Sequence, residues 1–123
     1  MCGTTKMKSS KILLVEDQLL IAMDAEAILN DHGYINVKTA TNLEDARSIA
    51  LDFRPQVAIL DINIGGCTSF EFAKELEDSS VKIAFASGYA KDAENYQGVG
   101  NVPVISKPYS TDDLVATIQS LLS

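Results

Sequence analysis

Short apolar runs rich in β-branched residues alternate with amphipathic helical patterns from Lys11 to the C-terminus, and this alternation leaves few folds open to the chain. Four of the runs, Ile12-Leu13-Leu14-Val15, Val57-Ala58-Ile59-Leu60, Val81 to Ala86 and Val102 to Ile105, are nearly continuous, as suits parallel strands covered on both faces. Tyr34 to Thr39 alternates polar with apolar residues, the pattern of an edge strand. Between the runs, Leu20, Met23, Ala27 and Ile28 make one helical face that stops at His32-Gly33, and Leu43, Ala46, Ala50 and Phe53 make a second. Thr41 with Glu44 reads as a capping box for that second helix, and Thr68 with Glu71 opens a third in the same manner. Ser110 and Asp113 precede a last stripe of Leu114, Ile118, Leu121 and Leu122, whereas Lys91 to Gly100 is polar and predicts only a short, mobile helix. With right-handed crossovers, this order predicts a doubly wound α/β fold, a (βα)5 three-layer sandwich on a five-stranded parallel sheet of order 2-1-3-4-5. In such a sheet ligands bind beyond the carboxyl ends of the strands, where the winding direction reverses.

A chain of 123 residues has room for one such domain, expected at residues 11–123, with Met1 to Ser10 as a disordered leader. The longest apolar run, Leu19 to Met23, falls far short of the roughly 20 residues that span a bilayer. No charged segment followed by an apolar stretch opens the sequence, so no membrane association and a cytoplasmic location are expected. Cys2 and Cys67 then read as free thiols of a reducing compartment. Seventeen acidic against ten basic residues give a net charge of −7, which argues against direct DNA binding. A phosphate bound by such a chain must be held by a local device rather than by the overall field. The single histidine, His32, sits at a predicted helix end and reads as a cap or surface residue, and Tyr34, Tyr96 and Tyr109 are expected to pack.

The polar residues at the ends of the apolar runs carry the chemistry. The first run ends in Glu16-Asp17, the third strand in Asp61, the fourth in Ser87-Gly88 and the fifth in Lys107-Pro108, so all these groups should emerge at one edge of the sheet. Three crowded carboxylates repel one another and invite a hard divalent cation with oxygen ligands. Mg²⁺ takes one or two carboxylates and keeps several waters; Asp17 and Asp61 supply the carboxylates, a backbone carbonyl near Asn63 a third ligand, and Glu16 acts through water. A metal-bound carboxylate can attack phosphorus and form an acyl phosphate, a reaction that asks the protein mainly for positioning and charge stabilisation. The Lys107 ammonium and the Ser87 hydroxyl suit the transferring oxygens. Taken singly, each of these residues has an ordinary reading, such as an acidic pair at a helix start. Their coincidence at four strand ends does not.

The pieces Leu14-Val15-Glu16-Asp17, Leu60-Asp61-Ile62-Asn63, Phe85-Ala86-Ser87-Gly88-Tyr89 and Ser106-Lys107-Pro108-Tyr109 together resemble the receiver domain of two-component response regulators, over Lys11 to Leu122. The resemblance implies a flavodoxin-like fold, Asp61 as phosphoacceptor, Mg²⁺ held by Glu16 and Asp17, Ser87 as switch hydroxyl, Lys107 as phosphoryl ligand and a cis bond before Pro108. It also implies a histidine kinase or histidine phosphotransfer protein as donor and a downstream protein as target. The activity is then that of a signalling switch with intrinsic self-phosphorylation and autodephosphorylation, not of an enzyme. Three departures narrow it. Gly65-Gly66 stands where receivers usually carry Pro, and Phe85 to Tyr89 looks like a subgroup with a Phe-Ala-Thr-Gly-Tyr signature, here with Ser. Val104 replaces the aromatic that commonly rotates on activation, which leaves Tyr89 as the expected mobile aromatic, reporting through Lys91 to Gly100, or else as a cover for the acceptor pocket. The alternative reading is a degenerate receiver, a phosphorylation-independent binding module. A haloacid dehalogenase-type phosphatase needs a second acid where Asn63 stands, and a flavodoxin-like cofactor carrier needs a Ser/Thr/Gly-rich loop after the first strand.

Overall fold

The structure, a computed structural model, describes residues 8–96 and 102–123. Strand β1 (Lys8–Val15) shows how the sheet is built: Ile12 and Leu14 join the core on one face, Leu13 and Val15 the core on the other, and all four are buried. After it come α1 (Leu19–Asp31), β2 (Tyr34–Ala40), α2 (Leu43–Phe53), β3 (Val57–Asp61), α3 (Phe70–Asp78), β4 (Lys82–Ser87), a 3₁₀ helix (Ala90–Asn95), β5 (Val104–Ser106) and α4 (Thr111–Leu122). The five strands are parallel in the order β2-β1-β3-β4-β5, which is the predicted order 2-1-3-4-5. The register aligns Leu14 with Thr39 and Ile59, Ile59 with Ala84, and Ala86 with Ile105. One core holds α1 and α4 against the sheet through Ala25, Leu29, Leu114 and Ile118; the other holds α2 and α3 through Ala46, Phe72, Ala73 and Leu76. Among the described residues no helix is long and apolar enough to cross a membrane.

Several local expectations are corrected. β1 starts at Lys8, so Lys8, Ser9 and Ser10 belong to the sheet rather than to a leader: the Lys8 amide donates to the Gly33 carbonyl at 2.7 Å and its ammonium lies 4.5 Å from the centroid of the Tyr34 ring. Met1 to Met7, Cys2 included, lie outside the described residues. Helix α1 buries Ala22, Ala25 and Leu29, while Leu20, Met23 and Ala27 are exposed and Ile28 is half-buried. Small residues let this helix lie close to the sheet, so the buried face is not the one with the largest apolar side chains. The α2 cap is Asn42, whose side chain accepts from the Asp45 amide at 2.8 Å, in place of Thr41. Thr68 is part of a small hairpin (Asn63–Ile64 with Cys67–Thr68), and Ser69 is the residue that precedes α3. Ser110 caps α4 as expected, accepting from the Asp113 amide at 3.0 Å, and His32 ends α1 with Nδ1 2.9 Å from the Ile28 carbonyl. Of the helix expected over Lys91 to Gly100, the described part is the 3₁₀ turn; residues 97–101 lie outside the described residues.

The hairpin explains the two glycines. Gly65 and Gly66 both have positive φ, +60° and +85°, as the two central residues of a tight hairpin turn require. Proline, locked near −65°, cannot take either position.

Candidate functional site

Parallel strands place their carboxyl ends on one edge, and the strand ends of β1, β3 and β4 together with the residue after β5 deliver Glu16-Asp17, Asp61, Ser87 and Lys107 there. β1 and β3 are neighbours in the middle of the sheet, yet their following helices pack on opposite faces, which opens a crevice between them. Oxygens of Glu16, Asp17 and Asp61 all lie within 4.8 Å of one another. Glu16 is 1% exposed and Asp61 7%, whereas Asp17 faces solvent.

The Lys107 ammonium is the cation of this cluster, donating to Glu16 Oε1 at 2.8 Å and to Asp61 Oδ2 at 3.1 Å. Glu16 Oε2 accepts from the Gln18 amide at 3.1 Å, and Asp17 Oδ2 accepts from the Gly65 amide at 3.3 Å, so the hairpin turn leans on the acidic edge. Burial pushes the Glu16 carboxyl above its usual range, with the Lys107 ammonium and the Gln18 amide opposing it. For Lys107 burial alone works downward, but its hydrogen bonds to Glu16 and Asp61 and their charges outweigh it, and the ammonium is held above its ordinary value. Among the described side chains, one ammonium nonetheless faces three carboxylates. Each like-charge pair at this separation costs about 3–4 kcal/mol at an effective dielectric near 20. A hard, all-oxygen donor set with one carboxylate open to solvent fits Mg²⁺, which keeps waters of its own. Asn63, whose carbonyl is the other expected ligand, is exposed and opens the hairpin just beyond Asp61.

The chain around Asp61 is tied down by a residue that sequence reasoning missed. Ser69 is fully buried, its hydroxyl donates to the Asp61 carbonyl at 2.7 Å, and its amide donates to the Ile62 carbonyl at 2.7 Å. Its sole sequence signal is a serine at a helix start, where the hydroxyl is normally assigned to capping.

Ser87 stands one residue past Ala86, the register partner of Asp61, yet its hydroxyl is engaged within its own loop. Ser87 Oγ accepts from the Tyr89 amide at 3.0 Å and lies 2.8 Å from the Tyr89 carbonyl and 2.9 Å from Asp92 Oδ2. Asp92 is the second residue that sequence reasoning did not single out. Tyr89 is 58% exposed. Two aromatics pack against Phe85, the register partner of Val104: Phe70, with ring centroids 5.4 Å apart, and Tyr96, at 4.9 Å; Tyr96 also meets Phe70 at 5.4 Å, and its hydroxyl donates to Glu77 on α3. The Lys107–Pro108 peptide is cis, as the resemblance implies. Tyr109 is half-buried against the α1/α4 core, and Tyr34 is buried in it.

The sequence matches the response regulator receiver domain family over residues 12–119. It is 29% identical over 119 residues to the transcriptional regulatory protein YvrH of Bacillus subtilis (strain 168), covering 94% of this chain and 50% of that protein. It is 25% identical over 120 residues to sporulation initiation phosphotransferase F of the same organism, covering 94% of this chain and 96% of that one. The chain thus spans about half the length of YvrH and nearly all of the phosphotransferase. The fold matches that of the chemotaxis response regulator CheY4 of Vibrio cholerae with a TM-score of 0.78 and 25% identity, covering 93% of this chain and 99% of that one.

Proposed function

This chain belongs to the response regulator receiver domain family and is a receiver domain of two-component systems, and from that premise we propose that Asp61 is its phosphoacceptor. The observation that carries the proposal is the Lys107 ammonium bound to both Asp61 and Glu16 at the mouth of a three-carboxylate edge. The donor is a phosphohistidine of a histidine kinase or histidine phosphotransfer protein. An Asp61 carboxylate oxygen forms the new P–O bond as the donor's P–N bond breaks, and the imidazole leaves. Ser69 fixes the Asp61 backbone during this step, and Lys107 turns from the carboxylate to a phosphoryl oxygen. Glu16, Asp17 and Asp61, with the Asn63 carbonyl, are the groups to hold Mg²⁺, which supplies the positive charge that lets an anionic donor approach an anionic acceptor. Ser87 is the hydroxyl that reads the phosphoryl group, and the stretch Phe85 to Tyr89 supports a reading of the chain as one of the subgroup with a Phe-Ala-Thr/Ser-Gly-Tyr signature. The output passes to a downstream protein in the cytoplasm, and the domain's own chemistry is self-phosphorylation and autodephosphorylation.

Incubation with a small-molecule phosphodonor and Mg²⁺ should add one base-labile phosphoryl group to the parent, seen by intact-protein mass spectrometry. Asp61→Asn should show none, and Asp17→Ala should lose the Mg²⁺ dependence together with most of the product. An undiminished adduct on Asp61→Asn refutes the assignment and favours another acceptor; no adduct on the parent favours a phosphorylation-independent binding module.

A further inference from the structure

We propose that Asp92 is a positioning residue for the switch: its carboxylate holds the Ser87 hydroxyl away from Asp61 and so sets the affinity of the site for a phosphoryl group. The inference rests on the phosphoacceptor reading of Asp61 and extends it to a residue outside the acidic edge.

Strand register puts Ser87 within reach of a group on Asp61, because Asp61 pairs with Ala86 and Ser87 is the next residue of β4. Among the described residues, however, the hydrogen-bond partners of its hydroxyl are Tyr89 and Asp92, neither Asp61 nor Lys107, whose amide donates instead to the Ser87 backbone carbonyl at 3.0 Å. A serine hydroxyl has one proton to donate. The two acceptors within reach are the Tyr89 carbonyl at 2.8 Å and Asp92 Oδ2 at 2.9 Å. The Tyr89 carbonyl already accepts the Asp92 amide at 3.0 Å, while the Asp92 carboxylate is charged and makes the stronger bond. Ser87 is buried, so water offers the hydroxyl little competition. The 3₁₀ turn from Ala90 to Asn95 is what carries the carboxylate back over Ser87, five positions along the chain.

A phosphoryl oxygen and the Asp92 carboxylate are therefore rivals for one proton. Occupation of Asp61 draws the hydroxyl inward only by breaking the bond to Asp92. That release also unfastens the 3₁₀ turn, which leads directly to Tyr96 on the Phe70–Phe85 aromatic contact.

The test measures binding of beryllofluoride, a phosphoryl mimic, to the Mg²⁺-loaded full chain by calorimetry. The variants are Asp92→Ala, Asp92→Asn, Ser87→Ala and the Ser87→Ala/Asp92→Ala pair. Removing a charged acceptor while a neutral one remains should tighten binding about fivefold to tenfold in Asp92→Ala. Asp92→Asn keeps an uncharged acceptor and should fall between Asp92→Ala and the parent. In the Ser87→Ala background the Asp92→Ala change should alter affinity less than about twofold, since no hydroxyl is left to release. Equal affinity of parent and Asp92→Ala overturns the proposal. So does an equal gain with and without Ser87, which is what simple repulsion by the Asp92 charge gives. If Asp92→Ala does not fold, as judged by its amide spectrum, parent-like affinity in Asp92→Asn overturns it. Failure of the parent to bind beryllofluoride overturns the phosphoacceptor reading itself.

Discussion

Replacing Lys107 by Met keeps most of the side-chain stem and removes the ammonium that binds Glu16 and Asp61. Breaking a buried ion pair by deleting one partner costs about 3–5 kcal/mol, because the other charge is left without compensation. The Lys107 side chain is 16% exposed, and Glu16 keeps the Gln18 amide, so the cost falls to just below that range, about 2–3 kcal/mol. At about 3–5 °C per kcal/mol for a chain of this length, the melting temperature should fall by roughly 6–15 °C. The loss should depend on pH in a definite direction. Burial raises the Glu16 carboxyl above 4.5, and Lys107 is one of the groups holding it down, so Glu16 of the variant titrates higher still. A carboxyl with a raised folded value favours the fold most while protonated, and that contribution is lost as pH rises through the folded value. The deficit of Lys107→Met should therefore be largest near about pH 8 and shrink toward about pH 5. The raised value of Lys107 itself matters only above 10.5, outside this window. Urea unfolding of both proteins without divalent cations, at both pH values, measures the deficit directly. Mg²⁺ should then restore more stability to the variant than to the parent, since it replaces a lost charge. A deficit below about 0.5 kcal/mol at the higher pH, or one that does not shrink on acidification, refutes the view that Lys107 compensates the acidic edge.

Ser69→Ala leaves the buried Asp61 carbonyl without its hydroxyl partner and should cost about 1–3 kcal/mol in urea unfolding, while slowing phosphorylation by a small-molecule donor. A parent-like midpoint and rate contradict the positioning role. Tyr96→Ala removes the ring against Phe85 and Phe70 and should destabilise by about 1–3 kcal/mol, less than full core truncation because the ring is only half-buried. Tyr89→Ala, at an exposed position, should stay within about 0.5 kcal/mol of the parent, so equal losses in thermal melts would show that the two aromatics have been ranked wrongly.

The strands were legible because burial on both faces excludes polar residues from Val57 to Leu60 of β3 and Ile83 to Ala86 of β4, and the acidic edge because each strand of that kind ends abruptly in its polar group. Parallel pairing then brings residues such as Glu16 and Asp61 together without any knowledge of side-chain packing. The face of α1 was not legible from the size of its apolar residues. Ala22 and Ala25 are buried because the helix must approach the sheet closely, and nothing local to the helix states that distance. Lys8 to Ser10 look like leader residues, and what makes them strand is an acceptor supplied by Gly33 and a neighbour supplied by β2. Ser69 and Asp92 were hidden for a common reason. Each is one of several polar loop residues, and only the turn geometry decides which hydroxyl or carboxylate points back toward the site.

Glu16 and Lys107 meet across 91 positions of sequence, which makes the site a record of how far assembly of the chain has gone. Synthesis runs from the N-terminus, so both the acidic pair and Asp61 exist well before the ammonium that offsets them. Lys107 follows β5, a strand of three residues paired beside β4, so the Lys107 counter-charge reaches Glu16 only through that short strand. A contact of this sequence separation is closed late, because the entropy of the intervening loop must be overcome before the contact contributes anything. The carboxylate edge is thus a burden carried through folding and relieved near its end. The compensation of Glu16 and Asp61 by Lys107 therefore depends on the pairing of β5, the shortest strand of the sheet, beside β4.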